Sequence, residues 1–110
     1  MTPEGKMKAA VKKALLPYRQ FGELYSHWPV LNGMGEPTLD CVGCYRGHFF
    51  AIETKAPGKK PTPRQLQTIA KMEDAGAAVF VIDDVAGVLA LQRWLVSRPY
   101  LTSETPERQC

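Results

Sequence analysis

Apolar residues recur with a helical period at the start of the chain. Between Met7 and Leu15 they fall at every third or fourth position, which places them on one face of a helix. Thr2 is a suitable N-cap, and Pro3 is a suitable first helical residue. The pattern predicts a helix that begins at Pro3 and ends at Pro17, because proline interrupts helical hydrogen bonding.

The next part of the chain has the composition and the spacing of β-strands. An aromatic-rich segment, Phe21–Val30, predicts a first strand. Two further segments, Thr38–Tyr45 and His48–Ala56, stand on either side of Arg46-Gly47. This arrangement predicts a hairpin, which has a two-residue loop if only Arg46 and Gly47 form the turn.

A second helix has a complete start signal. Thr62 can serve as the N-cap and Pro63 as the first helical residue, and Gln65 then occupies the third helical position. Thr62 and Gln65 together form a capping box, in which each side chain bonds the backbone N–H of the other residue. The helix is predicted to end at Gly76.

The remaining pattern predicts a buried strand and a third helix. The strand is the nearly continuous apolar segment Ala77–Ile82. Asp83 or Asp84 then caps a helix over Val85–Val96.

Length and element order together define the fold class. The chain has 110 residues, a mass of 12.2 kDa and 45% apolar residues, which fits one domain. The order helix, three strands, helix, strand, helix predicts an α/β fold with a central mixed sheet flanked by helices. We place the domain at residues 1–98. Residues 99–110 have no periodicity and predict a flexible C-terminal tail.

Positive charge is concentrated in the first helix and in the segment 55–64. The chain carries a formal charge of +3, and the segment 55–64 contains no acidic residue. Such local patches suit a phosphate backbone, although a solvated helix face and a solvated loop explain them equally well. The candidate phosphate contacts are Lys6, Lys59, Lys60 and Arg64.

No stretch of the chain has the pattern of a signal peptide or a membrane span. The first residues lack an apolar core, and the apolar runs fall far short of the ~20 residues that a spanning helix needs. The expectation is a cytoplasmic protein without a membrane partner.

Cysteine usage offers a weak alternative site. Cys41 and Cys44 form a single C-x-x-C pair, and His48 is near enough in sequence to join them as a zinc ligand. If Cys41 and Cys44 lie on one strand, however, their side chains point to opposite faces and do not chelate together. The sequence therefore favours a structural role.

Two carboxylates are predicted to lie opposite each other in the hairpin. With a two-residue loop, Tyr45 pairs with His48, and counting outward brings Asp40 opposite Glu53. Lys55 shares the face of Glu53, because side chains alternate along a strand. Neighbouring carboxylates repel, and a divalent cation between them supplies the missing positive charge. A longer loop shifts the register, and the alternative is then a solvent-facing strand with scattered charges.

The same residues carry a resemblance to a known family. The stretch GEPTLD at 35–40, the hairpin, and AIETKAPGKKPTPRQ at 51–65 resemble the VRR-NUC family of the PD-(D/E)xK nuclease superfamily. The resemblance extends over residues 3 to about 84. It departs from the family pattern in one respect, since Pro37 and Asp40 are separated by two residues.

The resemblance implies a restriction-endonuclease-like core and a Mg²⁺- or Mn²⁺-dependent nuclease. Asp40 and Glu53 would hold the cation together with the Thr54 backbone carbonyl, and Lys55 would position the attacking water. The further positions that match the family's catalytic pattern are Glu4 and Gln65. A favourable charge at the helix N-terminus explains Glu4 equally well, and the capping box also explains Gln65.

The chain resembles the short standalone members of the family from bacteria and phages, which implies the cytoplasm of a bacterial cell, or of the host cell if a phage encodes it. Standalone relatives of this kind resemble Holliday-junction resolvases that act as homodimers. The resemblance therefore implies branched DNA as substrate and a second copy of the chain as partner, since a symmetric cut needs two active sites. A second function class stays open, namely a DNA-binding module that uses the basic patches without cutting. A third is a cytoplasmic zinc protein using Cys41, Cys44 and His48.

Overall fold

A four-stranded sheet flanked by three helices forms the part of the chain described by the computed structural model, residues 1–101. The predicted order of elements is confirmed. In chain order the elements are α1 (Pro3–Gln20), β1 (Leu24–His27), β2 (Cys41–Tyr45), β3 (His48–Thr54), α2 (Pro63–Asp74), β4 (Ala78–Ile82) and α3 (Val85–Ser97).

The sheet is mixed, as predicted. Strands β1, β2 and β3 are antiparallel neighbours, and β4 lies parallel to β3 because α2 carries the chain back across the sheet. Alternation along β3 divides its apolar side chains between two cores. Ile52 packs with α1 and α3 on one face, whereas Ala51 packs with Ile69 of α2 on the other. The fold class inferred from the sequence is therefore confirmed.

The hairpin turn sets the register that the candidate site depends on. Arg46 and Gly47 have φ values of 51° and 86°, which is the left-handed conformation that a two-residue turn of this kind requires. Tyr45 pairs with His48, and the ladder continues to Cys41 opposite Ile52. The predicted two-residue loop and its register are both confirmed.

Arg46 is held in this unfavourable conformation by a carboxylate from the end of the first connection. Its Nη2 lies 2.8 Å from Glu23 Oε2, and its Nε lies 3.2 Å from the same oxygen. The Tyr100 hydroxyl also donates to that oxygen, at 3.1 Å. These contacts compensate for the strain of a non-glycine residue at positive φ, so they help to fix the hairpin register.

We expect Glu23→Gln to destabilise the fold in a pH-dependent way. The hydrogen bond from Arg46 lowers the pKa of Glu23 below its usual value of 4.5. A lowered folded-state pKa contributes stability above the unfolded-state pKa, and this stability disappears as the pH falls through the folded-state value. Thermal unfolding should show the largest difference between wild type and variant near pH 7 and a smaller one near pH 3. Glu73→Gln, an exposed carboxylate on α2, is the control. A difference independent of pH would contradict the prediction.

The helix start signals are confirmed in the structure. Gly5 N–H donates to Thr2 Oγ1 at 3.0 Å, and α2 begins with the predicted capping box. Asp84, one of the two predicted candidates, caps α3 by accepting from Gly87 N–H at 2.9 Å. These local interactions were readable from the sequence because each joins residues three positions apart.

The predicted end of α1 at Pro17 is wrong, since the helix continues to Gln20. Proline removes one N–H donor, but it can still accept, and Phe21 N–H donates to the Pro17 carbonyl at 3.2 Å. The bond lost is the one from residue 17 to the Lys13 carbonyl, and the burial of Val11 and Leu15 on the same helix compensates for it.

The strands are shorter than predicted. β1 covers only Leu24–His27 because the preceding residues form the turn that ends α1, where Glu23 N–H donates to the Tyr18 carbonyl. β2 begins at Cys41, not at residue 38, and β3 ends at Thr54, not at residue 56. At this end of the hairpin, side-chain hydrogen bonds replace the backbone ladder.

Residues 99–101 contact the hairpin turn. Leu101 N–H donates to the Arg46 carbonyl at 3.0 Å, and the Pro99 carbonyl lies 2.7 Å from His48 Nε2. The remainder of the predicted tail, residues 102–110, lies outside the described residues, so the boundary at residue 98 stays a prediction. Among residues 1–101, no helix is long and apolar enough to cross a membrane.

Candidate active site

Asp40 and Glu53 are neighbours at the end of the hairpin that is remote from the turn. One step beyond the pair Cys41–Ile52, Asp40 N–H donates to Glu53 Oε1 at 3.3 Å. Asp40 is only 8% exposed and Glu53 only 3%. The two carboxylates that the sequence places opposite each other are therefore brought together, away from bulk water.

Lys55 and Gln65 both contact the Glu53 carboxylate. Lys55 Nζ lies 3.5 Å from Glu53 Oε2, and Gln65 Nε2 donates to the same oxygen at 2.9 Å. Gln65 Oε1 accepts from Thr62 N–H at 2.9 Å. A single glutamine side chain thus completes the capping box of α2 and also contacts the candidate site.

The electrostatics of the pair resist ionisation of Glu53. Burial raises the pKa of Glu53, and the negative charge of Asp40 raises it further. Lys55 acts in the opposite direction, through its charge and its hydrogen bond. Because the net shift is upward, one ammonium group does not compensate for two buried carboxylates.

The donor set suits a hard divalent cation. Mg²⁺ is commonly held by one or two carboxylates and keeps several waters, and Asp40 and Glu53 supply two such groups. Within residues 1–101, no cluster of three or more His, Cys, Asp or Glu side chains is arranged to hold a metal. Further ligands would therefore be oxygens of another kind, such as water or the Thr54 carbonyl.

The Thr54 side chain is a component of the site that sequence reasoning missed. Strand alternation assigns it to the face opposite Glu53, yet its hydroxyl donates to Asp40 Oδ2 at 2.8 Å, and its N–H donates to the same oxygen at 2.9 Å. Asp40 stands just outside the ladder, so its side chain can bond the end of β3. In the sequence, the only signs of this contact are the Asp at position 40 and the Thr between Glu53 and Lys55.

The remaining predicted site residues have no hydrogen bond or ion pair to Asp40 or Glu53 among the described residues. Glu4 is partly exposed and lies 3.6 Å from Lys8 Nζ, and none of the hydrogen bonds and ion pairs of the described residues joins it to Asp40 or Glu53. The predicted cationic contacts are exposed, three of them on the connection between Lys55 and α2 and in its first turn. These residues are Lys6 on α1, and Lys59, Lys60 and Arg64.

The zinc alternative is wrong for the described residues. Cys41 and Cys44 both lie on β2 at positions of opposite orientation, and Cys41 is fully buried in the core beneath α1 and α3. Burial raises the pKa of the Cys41 thiol to about 12. His48 Nε2 lies against the Pro99 carbonyl. These three side chains do not converge on one point.

A wide groove lies elsewhere on the molecule. Its walls include His48, Phe49, Met72 and Trp94, at the hairpin turn and the C-terminal ends of α2 and α3. His48 begins β3 and Glu53 lies near its other end, so roughly 17 Å of strand separates them. The groove is therefore not part of the candidate site.

The fold is similar to that of a solved structure titled "VRR_NUC domain". The two share 24% sequence identity with a TM-score of 0.66, and the match covers 84% of this chain and 97% of that chain. No model of a protein family matches the sequence, and no curated protein matches it. The chain thus has the fold that its sequence resemblance implies.

Proposed function

We propose that this protein is a divalent-metal-dependent DNA endonuclease that hydrolyses phosphodiester bonds. The observation that carries the proposal is the buried pair of Asp40 and Glu53, with Lys55 and Gln65 on the Glu53 carboxylate. A stability role alone does not account for two adjacent buried carboxylates, because their repulsion is costly. The structural likeness to a VRR_NUC domain supports a nuclease.

Each residue of the site has a distinct role in this reaction. Asp40, Glu53 and the Thr54 carbonyl would hold Mg²⁺ or Mn²⁺, which would polarise the scissile phosphate and make a bound water more acidic. Lys55 orients the attacking water and stabilises the negative charge that develops on the phosphate. Gln65 keeps the Glu53 carboxylate in place by anchoring it to the start of α2.

DNA contact is supported by the exposed cations beside the site. Lys59, Lys60 and Arg64 lie close in sequence to Lys55 and Gln65, where they can bind phosphates on either side of the scissile bond. The N-terminus of α2 adds backbone N–H groups with the same preference for anions. Lys6 would extend this contact, and Glu4 would approach the site from α1.

In its more specific form, the proposal is that the protein acts on branched DNA as a homodimer. Symmetric cleavage of a four-way junction needs two active sites, and residues 1–101 hold one Asp40–Glu53–Lys55 cluster. A second copy of the chain would supply the other site. Exposed apolar side chains on α3, Val85, Leu89 and Val96, offer a surface for such an association. The proposal places the protein in the cytoplasm, where DNA is accessible.

The test is cleavage of matched linear, flapped and four-way DNA in MgCl₂ or MnCl₂, with EDTA controls. We expect cleavage only with metal and fastest on the four-way substrate, by a protein with twice the chain mass in light scattering. Binding that EDTA does not change, with no cleavage of any substrate, would favour the DNA-binding module instead. A monomeric mass with cleavage of linear DNA would retain the nuclease and overturn the junction-specific form.

A further inference from the structure

The Thr54 hydroxyl is buried at the end of the hairpin that carries Asp40 and Glu53, and it bonds only Asp40 among the described residues. Thr54 is 0% exposed, and its Oγ1 lies 2.8 Å from Asp40 Oδ2. We propose that this hydroxyl is a positioning group that restricts Asp40 to coordination through one oxygen, and that it thereby favours Mg²⁺ and Mn²⁺ over Ca²⁺. The inference rests on the metal site proposed above.

The geometry saturates one oxygen of Asp40. Oδ2 accepts from the Thr54 N–H at 2.9 Å and from the Thr54 hydroxyl at 2.8 Å. A carboxylate oxygen has two lone pairs, so two donors occupy both of them. Among the hydrogen bonds of residues 1–101, none engages the other oxygen, Oδ1. Oδ1 is therefore the atom of Asp40 that remains available to a cation.

The Glu53 carboxylate is restrained in a complementary way. Oε1 accepts from Asp40 N–H, and Oε2 accepts from Gln65 and lies beside Lys55. Oε1 therefore keeps a lone pair for a cation, and these contacts restrain the rotation of the Glu53 carboxylate. The protein thus presents oxygens in fixed positions before any cation arrives.

Cation choice follows from this restraint. Mg²⁺ demands near-ideal octahedral geometry at short distances, which suits single oxygens in fixed positions. Ca²⁺ takes 6–8 oxygens at longer distances and readily uses both oxygens of one carboxylate. Losing the Thr54 hydroxyl would return a lone pair to Oδ2 and free the Asp40 side chain. Such a change should weaken the binding of Mg²⁺ and Mn²⁺ more than the binding of Ca²⁺.

The experiment compares Mn²⁺ and Ca²⁺ binding to the protein without DNA. The signal of free Mn²⁺ in electron paramagnetic resonance gives the Mn²⁺ affinity, and competition gives the Ca²⁺ affinity. Thr54→Val keeps the backbone donor and the shape of the side chain, and Thr54→Ser keeps the hydroxyl. Thr68→Val is the matched control, because Thr68 is also buried but its hydroxyl bonds the Arg64 carbonyl. Circular dichroism checks that each variant folds, and Thr54→Ala replaces Thr54→Val if the latter does not.

We expect Thr54→Val to weaken Mn²⁺ binding by roughly tenfold or more, as is usual for a residue that orients a metal ligand. Ca²⁺ binding should weaken less, while Thr54→Ser and Thr68→Val should bind like wild type. Equal losses for both cations, or no loss, would assign the hydroxyl a structural role and overturn the inference. If wild type binds no Mn²⁺, the proposed metal site itself fails, which the wild-type titration reveals separately.

Discussion

Asp40→Asn should lower the rate of the proposed metal-dependent DNA cleavage by about a thousandfold, because it would remove a charged ligand from a cation that would contribute several kcal/mol to the reaction. Lys55→Ala should lower it by about a hundredfold to a thousandfold, through loss of charge stabilisation at the phosphate. Both variants should still bind the four-way substrate, since the exposed cations of the segment 59–64 are unchanged. Single-turnover cleavage and gel-shift binding measure the two properties separately.

The fold should survive Asp40→Asn without loss of metal-free stability. The asparagine carbonyl can still accept from Thr54, and the charge that raises the pKa of Glu53 is gone. Asp74→Asn, an exposed carboxylate at the end of α2, is the matched control and should cleave like wild type. Cleavage by Asp40→Asn at the wild-type rate would refute the site. Loss of both DNA binding and DNA cleavage would indicate that the variant had lost its fold.

Gly43→Ala should cost about 3 kcal/mol of stability, at the upper end of what inserted core atoms usually cost. A Cβ at position 43 would clash with the Tyr25 carbonyl oxygen and would lie 2.7 Å from Phe50 Cζ. The carbonyl belongs to β1, which is paired with β2, so it cannot withdraw without breaking the sheet. A loss of this size is a large fraction of the 5–15 kcal/mol that stabilises a typical domain. Denaturant unfolding measures it.

The Phe50 ring offers a way to separate the two clashes. Phe50 pairs with Gly43 across the hairpin, and its ring covers the glycine. Phe50→Leu removes the ring atoms that meet the new Cβ, so Gly43→Ala should cost less in that background than in wild type. An unchanged cost would place the whole clash at the Tyr25 carbonyl. No cost in either background would contradict the close approach of Tyr25 and Phe50 to Gly43.

Local signals predicted the framework of the fold because they act over a few residues. The capping box of Thr62 and Gln65 and the turn at Arg46 and Gly47 were each readable from neighbouring residue types. The register then followed by counting, and it placed Asp40 beside Glu53. Pro17 shows the limit of this approach, because tertiary burial of α1 outweighs the single hydrogen bond that proline removes.

The contact between Asp40 and Thr54, which the sequence did not predict, forms where the β2–β3 ladder ends. Alternation along β3 separates Thr54 from Glu53, and it holds only while the ladder lasts. Asp40 lies one residue beyond β2, so its side chain is able to bond Thr54. Neither the period of side-chain alternation nor strand propensity predicts side-chain contacts beyond the last pair of a ladder. The contacts that support Arg46 were equally unpredictable from the sequence. Arg46 and Glu23 are 23 positions apart, and Tyr100 and Glu23 are 77 positions apart.

The hairpin that brings Asp40 to Glu53 also determines when the site forms during folding. The two residues are only 13 positions apart and are joined by a tight turn, whereas Gln65 arrives with a separate helix. Contacts of short sequence separation form early, and hairpins close within microseconds. The nascent chain therefore meets the repulsion between its two carboxylates near the beginning of folding, before most of the core is present. A divalent cation in the refolding buffer would relieve that repulsion at the step where the hairpin closes, and so would act on the folding rate as well as on the folded protein.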